Sequence, residues 1–322
     1  ICAASDVFFR DSEFGCVLGT LGTLMTTLDG GRTWKGSTLG DGNLNDVHFS
    51  DRARGWVAGK DGSLYSTLDG GETWMRNEGQ GYEADEDFFE VQFFSENVGY
   101  LLGYGGVYCT DDGGASWQNN WLPSEPDCGA LDMSFVNERT GYLLGGRYLE
   151  ADPIFLYRTA NGGAAWEPVE GSRVSALRLV MTVWFVDERI GWAGGGVIMK
   201  TVDGGATWAT QVPSATVREF YFFDSTLGFA VGGKTILRTE NGGDTWANVT
   251  PPDDRIVDLR GICFLDAREG WVVGRGVDEV VDGRLIKRSL LLTTVDGGAS
   301  WRVREFLFDY TSFLSEADTA AD

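Results

Sequence analysis

The stretch Thr67-Leu68-Asp69-Gly70-Gly71-Glu72-Thr73-Trp74 decides the fold, because six other segments of the chain repeat it. They are Thr27–Trp34, Thr110–Trp117, Thr159–Trp166, Thr201–Trp208, Thr239–Trp246 and Thr294–Trp301. The closing residues Trp34, Trp74, Trp117, Trp166, Trp208, Trp246 and Trp301 follow one another at intervals of 40, 43, 49, 42, 38 and 55 residues. A period of about 40 residues kept along a whole chain is that of a propeller blade. The turn has its own chemistry. An aspartate at the third position accepts hydrogen bonds from the N–H groups of its own turn, and the paired glycines supply positive φ. The threonine or serine hydroxyl adds a bond, and the tryptophan covers the core between blades. Asp29, Asp69, Asp112, Asp203 and Asp296 fill the acidic place, while Asn161 and Asn241 keep the acceptor and lose the charge. One carboxylate per isolated turn falls far short of a calcium cage, so these residues are expected to be structural and no metal is expected.

Working outward, each unit carries a second landmark ahead of the turn, such as Gly55-Trp-Val-Ala-Gly59, Gly99-Tyr-Leu-Leu-Gly103 or Gly270-Trp-Val-Val-Gly274. Before it lies a short strand ending in Phe and usually carrying an acidic or amide residue, as in Asp46-Val-His-Phe49. A third strand, such as Ser63–Thr67, leads into the turn, and a fourth starts at the tryptophan. Four short strands joined by tight turns make one antiparallel blade. The expected fold is all-β, a single seven-bladed β-propeller over 1–311, with blades near 1–40, 41–80, 81–124, 125–171, 172–212, 213–250 and 251–311. The segment Arg304–Phe313 could add a strand or lie over the seam between blades one and seven, and the small acidic tail 312–322 is expected to be mobile.

A formal net charge of −22 repels phosphates, which argues against a nucleic-acid partner. The charge is uneven: no Lys or Arg lies between Arg76 and Arg139, whereas arginines accumulate afterwards. Five cysteines at irregular spacing define no disulfide framework, and Ile1 before Cys2 is a poor match to a lipid-anchor site. No apolar run is long enough to span a membrane as a helix. His48 is the only histidine and sits in a strand pattern, which argues against a Ser-His-Asp triad or a histidine-based zinc site. No phosphate-cradling glycine loop precedes a helix, so neither nucleotide nor other cofactor is expected.

The repeated turn resembles the Asp box of the BNR-repeat proteins, which include sialidases, xyloglucanases, sortilin-type receptors and the photosystem II stability/assembly factor family. The full unit resembles the last of these in every repeat, most clearly in Asp46–Trp74 and Arg260–Trp301. That resemblance implies an extracytoplasmic propeller, in the periplasm or an equivalent lumen, soluble or peripherally membrane-associated. It would be monomeric and non-enzymatic, and would bind a membrane protein or its assembly intermediate. A variant of the same reading makes the chain an accessory subunit of a membrane transporter. The resemblance also implies a partner-binding arginine cluster near the inner strands of one face. Arg218 and Arg260 stand four residues before Phe222 and Phe264, and Arg178 precedes the matching strand of blade five at a longer offset.

The face opposite the Asp boxes collects the irregular loops, where binding on a rigid scaffold usually resides. Candidate contacts there are Tyr82 in the acidic segment 80–90, Trp121, Arg147 and Tyr148 in 146–153, and Arg275 and Arg284 in 275–288. The rival is a glycoside hydrolase or a glycan-binding propeller, with carboxylates drawn from Glu83, Asp85, Glu150, Asp152, Asp278 and Glu279. Sialidases carry a Phe/Tyr-Arg-Ile-Pro motif, of which only Phe8-Phe9-Arg10 is present. No catalytic residue is therefore assigned.

Overall fold

The computed structural model describes residues 4–77, 81–83, 85–120, 129–146, 155–171, 180–281 and 284–306. These form seven four-stranded antiparallel sheets, each made of strands taken in chain order, so the fold is the seven-bladed β-propeller that the repeat predicts. Blade one is Ala4–Phe9, Gly15–Gly19, Thr23–Thr27 and Lys35–Thr38. Blade seven is Ile256–Phe264, Gly270–Gly276, Ser289–Thr294 and Arg302–Phe306, and a hairpin of Glu279–Val281 with Arg284–Ile286 interrupts it. Among the described residues no helix is long and apolar enough to cross a membrane.

The Asp box closes on itself. Asp29 Oδ1 accepts the N–H groups of Arg32 at 2.9 Å and Thr33 at 2.8 Å, and Oδ2 accepts the Thr33 hydroxyl at 2.6 Å. Buried Thr27 donates to Asp29 at 2.8 Å and accepts the Gly31 N–H at 2.9 Å. Gly30 and Gly31 stand at φ 72° and 82°, where a side chain would be strained. Asn241 keeps the frame by accepting the Thr245 N–H at 2.9 Å, and its amide donates to the Thr245 hydroxyl at 3.0 Å.

Packing across the seams explains the other two landmarks. The aromatic after the first glycine of one blade stacks on the strand-ending Phe of the next: Trp56 on Phe93 at 3.4 Å, Tyr142 on Phe185 at 3.5 Å, Trp192 on Phe222 at 3.6 Å. The same Phe meets its own blade's box tryptophan edge-on, as in Phe93 with Trp117 at 6.0 Å and 84°. Each Phe also lies over the glycine that opens the following strand. A Cβ on Gly99 would stand 2.5 Å from the Phe93 ring, so only glycine fits. Edge-to-face aromatic pairs such as Phe93 with Trp117 add about 1 kcal/mol each beyond the area they bury. Blade one has Cys16 where the aromatic would be, and there Phe14 covers Phe49 edge-on at 5.2 Å.

Among the described residues the ring closes by packing, with no strand exchanged between the first and last blades. Trp271 stacks on Phe9 at 3.6 Å, and the Ala4 N–H donates to Ser289 Oγ at 3.1 Å. The described part of the segment Arg304–Phe313 belongs to blade seven's own outer strand. The tail 312–322 lies outside the described residues.

Candidate binding site at the channel mouth

The first strand of each blade lines a central channel of about 560 Å³. In a plain strand, side chains would alternate between core and channel. Here Ala4–Phe9, Leu44–Phe49 and Phe88–Phe93 share another pattern, with two consecutive residues turned away from the core after the first. The cause is a bulge, seen as a register shift between Ala4 and Asp6 and repeated at Leu44/Asp46, Ala130/Asp132, Val180/Thr182 and Leu259/Gly261. A matching shift sets Phe88 and Glu90 against Gly103 and Leu102. A bulge inserts one residue and re-aims it. The re-aimed residues are Ser5, Asn45, Phe89, Leu131, Met181 and Arg260, with Arg218 at the equivalent place in blade six, and all line the channel.

This placement is at the channel end opposite the Asp boxes, because the inner strands run from it toward the turns shared with the boxes. The structure therefore brings Arg218 and Arg260 together. Their Nε atoms donate to the two oxygens of one carboxylate, Asp258, at 3.0 and 3.2 Å. Asp258 was missed in the sequence, although its place two residues before Arg260 was visible. The Nη atoms of both arginines make no hydrogen bond among the described residues. The Arg218 side chain is 51% exposed, so its fork is open to a ligand.

The other candidates divide. Arg178, Trp121, Arg147, Tyr148, Glu150 and Asp152 lie outside the described residues. Tyr82 is half-buried, donating to the Asn77 carbonyl at 2.9 Å and packing edge-on against Phe88 at 4.9 Å, so its ring belongs to the blade-three core. In the same segment Asp87 pairs with Lys60 at 2.9 Å, and Glu86 accepts the Gly105 N–H at 2.6 Å. Arg275 lies in blade seven's second strand opposite Asp258, and Arg284 in the inserted hairpin opposite Val281. Arg275 Nε and Asp278 Oδ1 are buried without a hydrogen-bond partner among the described residues. Glu279 pairs with Arg288.

Below the mouth lies a ring of acids that the sequence showed only as a tendency. Asp6, Asp46, Glu90, Asp132 and Glu219 stand three residues before the strand-ending Phe, where blades five and seven have Thr182 and Gly261. Each of the five accepts a backbone N–H from a neighbouring blade's inner strand. Asp6 takes that of Val47 at 3.3 Å, Asp46 that of Val91 at 2.6 Å and Glu90 that of Met133 at 3.4 Å. Asp132 takes that of Val183 at 2.6 Å, and Glu219 that of Ile262 at 3.0 Å. The acids thus stitch blade to blade. Desolvation by the surrounding protein raises the proton affinity of all five, and it pushes Asp132 up to about 7. The neighbouring charge of Asp46 raises Asp6 further, and that of Asp132 raises Glu90 further. His48 beside them is held neutral, its value lowered to about 4 by burial. Its Nε2–H donates to the Phe93 carbonyl at 2.9 Å.

With this geometry in hand, the class is clear: a seven-bladed Asp-box propeller with an arginine pair at one mouth of its channel. The chain resembles the photosystem II assembly-factor family. The model described as "Photosynthesis system II assembly factor YCF48" matches residues 2–76 and 37–110. No curated protein matches the chain. Among solved structures, "YCF48 bound to D1 peptide" is similar at 22% identity and a TM-score of 0.68, covering 85% of this chain and 90% of that one. YCF48 from Cyanidioschyzon merolae is similar at 20% identity and a TM-score of 0.65, covering 85% and 92%. An ancestral GH74 enzyme shares the fold at 11% identity and a TM-score of 0.50, covering 94% of this chain and 56% of its own.

Proposed function

We propose that this propeller is a non-enzymatic platform that holds a protein client at the channel mouth opposite the Asp boxes. The carrying observation is the Arg218–Arg260 pair, fixed by Asp258 through Nε, with the Nη groups of both making no hydrogen bond among the described residues. Fork-shaped donors already oriented suit a carboxylate of a partner. The similar propeller described as bound to a D1 peptide supports a polypeptide as the client. In this proposal the client is a membrane protein or its assembly intermediate, a transporter being one such case, met in an extracytoplasmic compartment.

The hydrolase reading has less support. The channel acids Asp6, Asp46, Glu90, Asp132 and Glu219 accept backbone N–H groups across the seams, which accounts for their presence without chemistry. The test is co-purification from the native host with Arg218→Glu and Arg260→Glu combined. A client should be recovered with the parent protein and lost with the double variant, whose melting curve stays cooperative. Equal recovery from both, or hydrolysis of a glycan panel without any client, would overturn the proposal.

A further inference from the structure

The seven side chains at the mouth form an ordered ring, because the inner strands of successive blades contact one another all the way round. Six of them follow the same register shift and Arg218 stands at the equivalent place in blade six, so their chemistry can be compared place by place. Ser5 and Asn45 are committed to the fold: Ser5 Oγ donates to the Leu44 carbonyl at 2.6 Å, and Asn45 Nδ2 to the Phe88 carbonyl at 2.6 Å. Phe89, Leu131 and Met181 occupy the next three places and have no polar atom with which to stitch. Phe89 and Leu131 rest partly on the cores beneath them, whereas Met181 is 55% exposed. Arg218 and Arg260 complete the circle. The mouth is therefore divided into an apolar arc over blades three to five, a cationic arc over blades six and seven, and a polar arc over blades one and two.

A large apolar side chain left more than half exposed at a concave mouth, as Met181 is, lacks the stabilisation that burial would bring. Thioethers also adapt to varied apolar partners. Immediately beside it, the Arg218 fork calls for a carboxylate. An oxyanion lodged deeper would meet Glu219 and Asp132, so the favourable place for negative charge is the rim. We propose that the mouth takes a short extended segment of the client in which an apolar side chain neighbours an acidic one. The apolar side chain lies on Phe89, Leu131 and Met181, and the carboxylate on Arg218 and Arg260. This deepens the platform proposal and rests on it.

The experiment uses the full chain and fluorescein-labelled peptides on a Gly/Ser background, one with adjacent Leu and Glu, one with Leu and Gln, and one with Ser and Glu. Fluorescence anisotropy should show the Leu-Glu peptide binding at least about tenfold more tightly than either of the others. Met181→Ser should remove most of that advantage and Met181→Leu should restore it, while both variants melt like the parent because the side chain is exposed. Equal affinity for Leu-Glu and Ser-Glu, no effect of Met181→Ser, or no binding by any peptide would overturn the inference. The platform proposal fails separately, when client recovery survives the double arginine reversal.

Discussion

Asp69 in the box turn of blade two and Asp132 in the channel of blade four are the same side chain with opposite affinities for a proton. Asp69 stands in open solvent, where the hydroxyl and N–H of Thr73 donate to it and lower it to about 2. Asp132 also accepts an N–H, from Val183, yet it is raised to about 7, because burial outweighs that bond. The donors in the turn act on a carboxylate that water already solvates, so they simply favour its charge. In the channel, protein surrounds the group and removes the solvent that would stabilise its charge, so the protonated form is favoured. One set of aspartates shapes the box turns of five blades; the other ties blades together.

Removing the channel group breaks this comparison most severely. Asp132→Ala leaves the Val183 N–H without its acceptor, and should cost about 2 kcal/mol in chemical denaturation. A loss below the error of that measurement would mean that channel water replaces the stitch.

A middle-sized effect is expected with pH, and the two sets act in opposite directions. A carboxyl whose folded value is raised stabilises fully below its unfolded value and fades as pH rises through the folded one. The channel acids should therefore make the melting temperature fall between about pH 5 and 8. Asp132→Asn, which keeps an oxygen for Val183 but cannot ionise, should flatten that alkaline limb. A parent protein with constant melting temperature over this range would contradict raised carboxyls in the channel. The box aspartates are lowered, so their contribution is present above the unfolded value and is lost as pH falls through about 4 towards 2.

The smallest effect sharpens the same point. Asp203→Asn should scarcely change the melting temperature at neutral pH, since Asn161 already closes an equivalent turn by accepting the Ala165 N–H at 3.0 Å. Its mark should be a shallower acid limb, because one fewer lowered carboxyl takes up a proton on unfolding. A large loss at neutral pH would show that the charge itself holds the turn.

What the sequence by itself determined was whatever lies within one turn or one repeat. The Thr27, Asp29, Gly31 and Thr33 bonds join residues at most four apart, so the box, its structural role and the number of blades could be read directly. The offset of Arg218 and Arg260 from the strand-ending Phe was legible for the same reason, and it placed both at one mouth. The acids ahead of Phe were visible too, but their work was not, because Asp46 bonds Val91 and Asp132 bonds Val183 across 45 and 51 residues. Tyr82 looked like a rim aromatic until Phe88 was found against it. Only the tertiary structure decided how the mouth is divided. A bulge re-aims one residue in six of the blades, and ring closure then sets the apolar, cationic and polar arcs side by side. Neither the bulge nor the closure is a property of any single repeat.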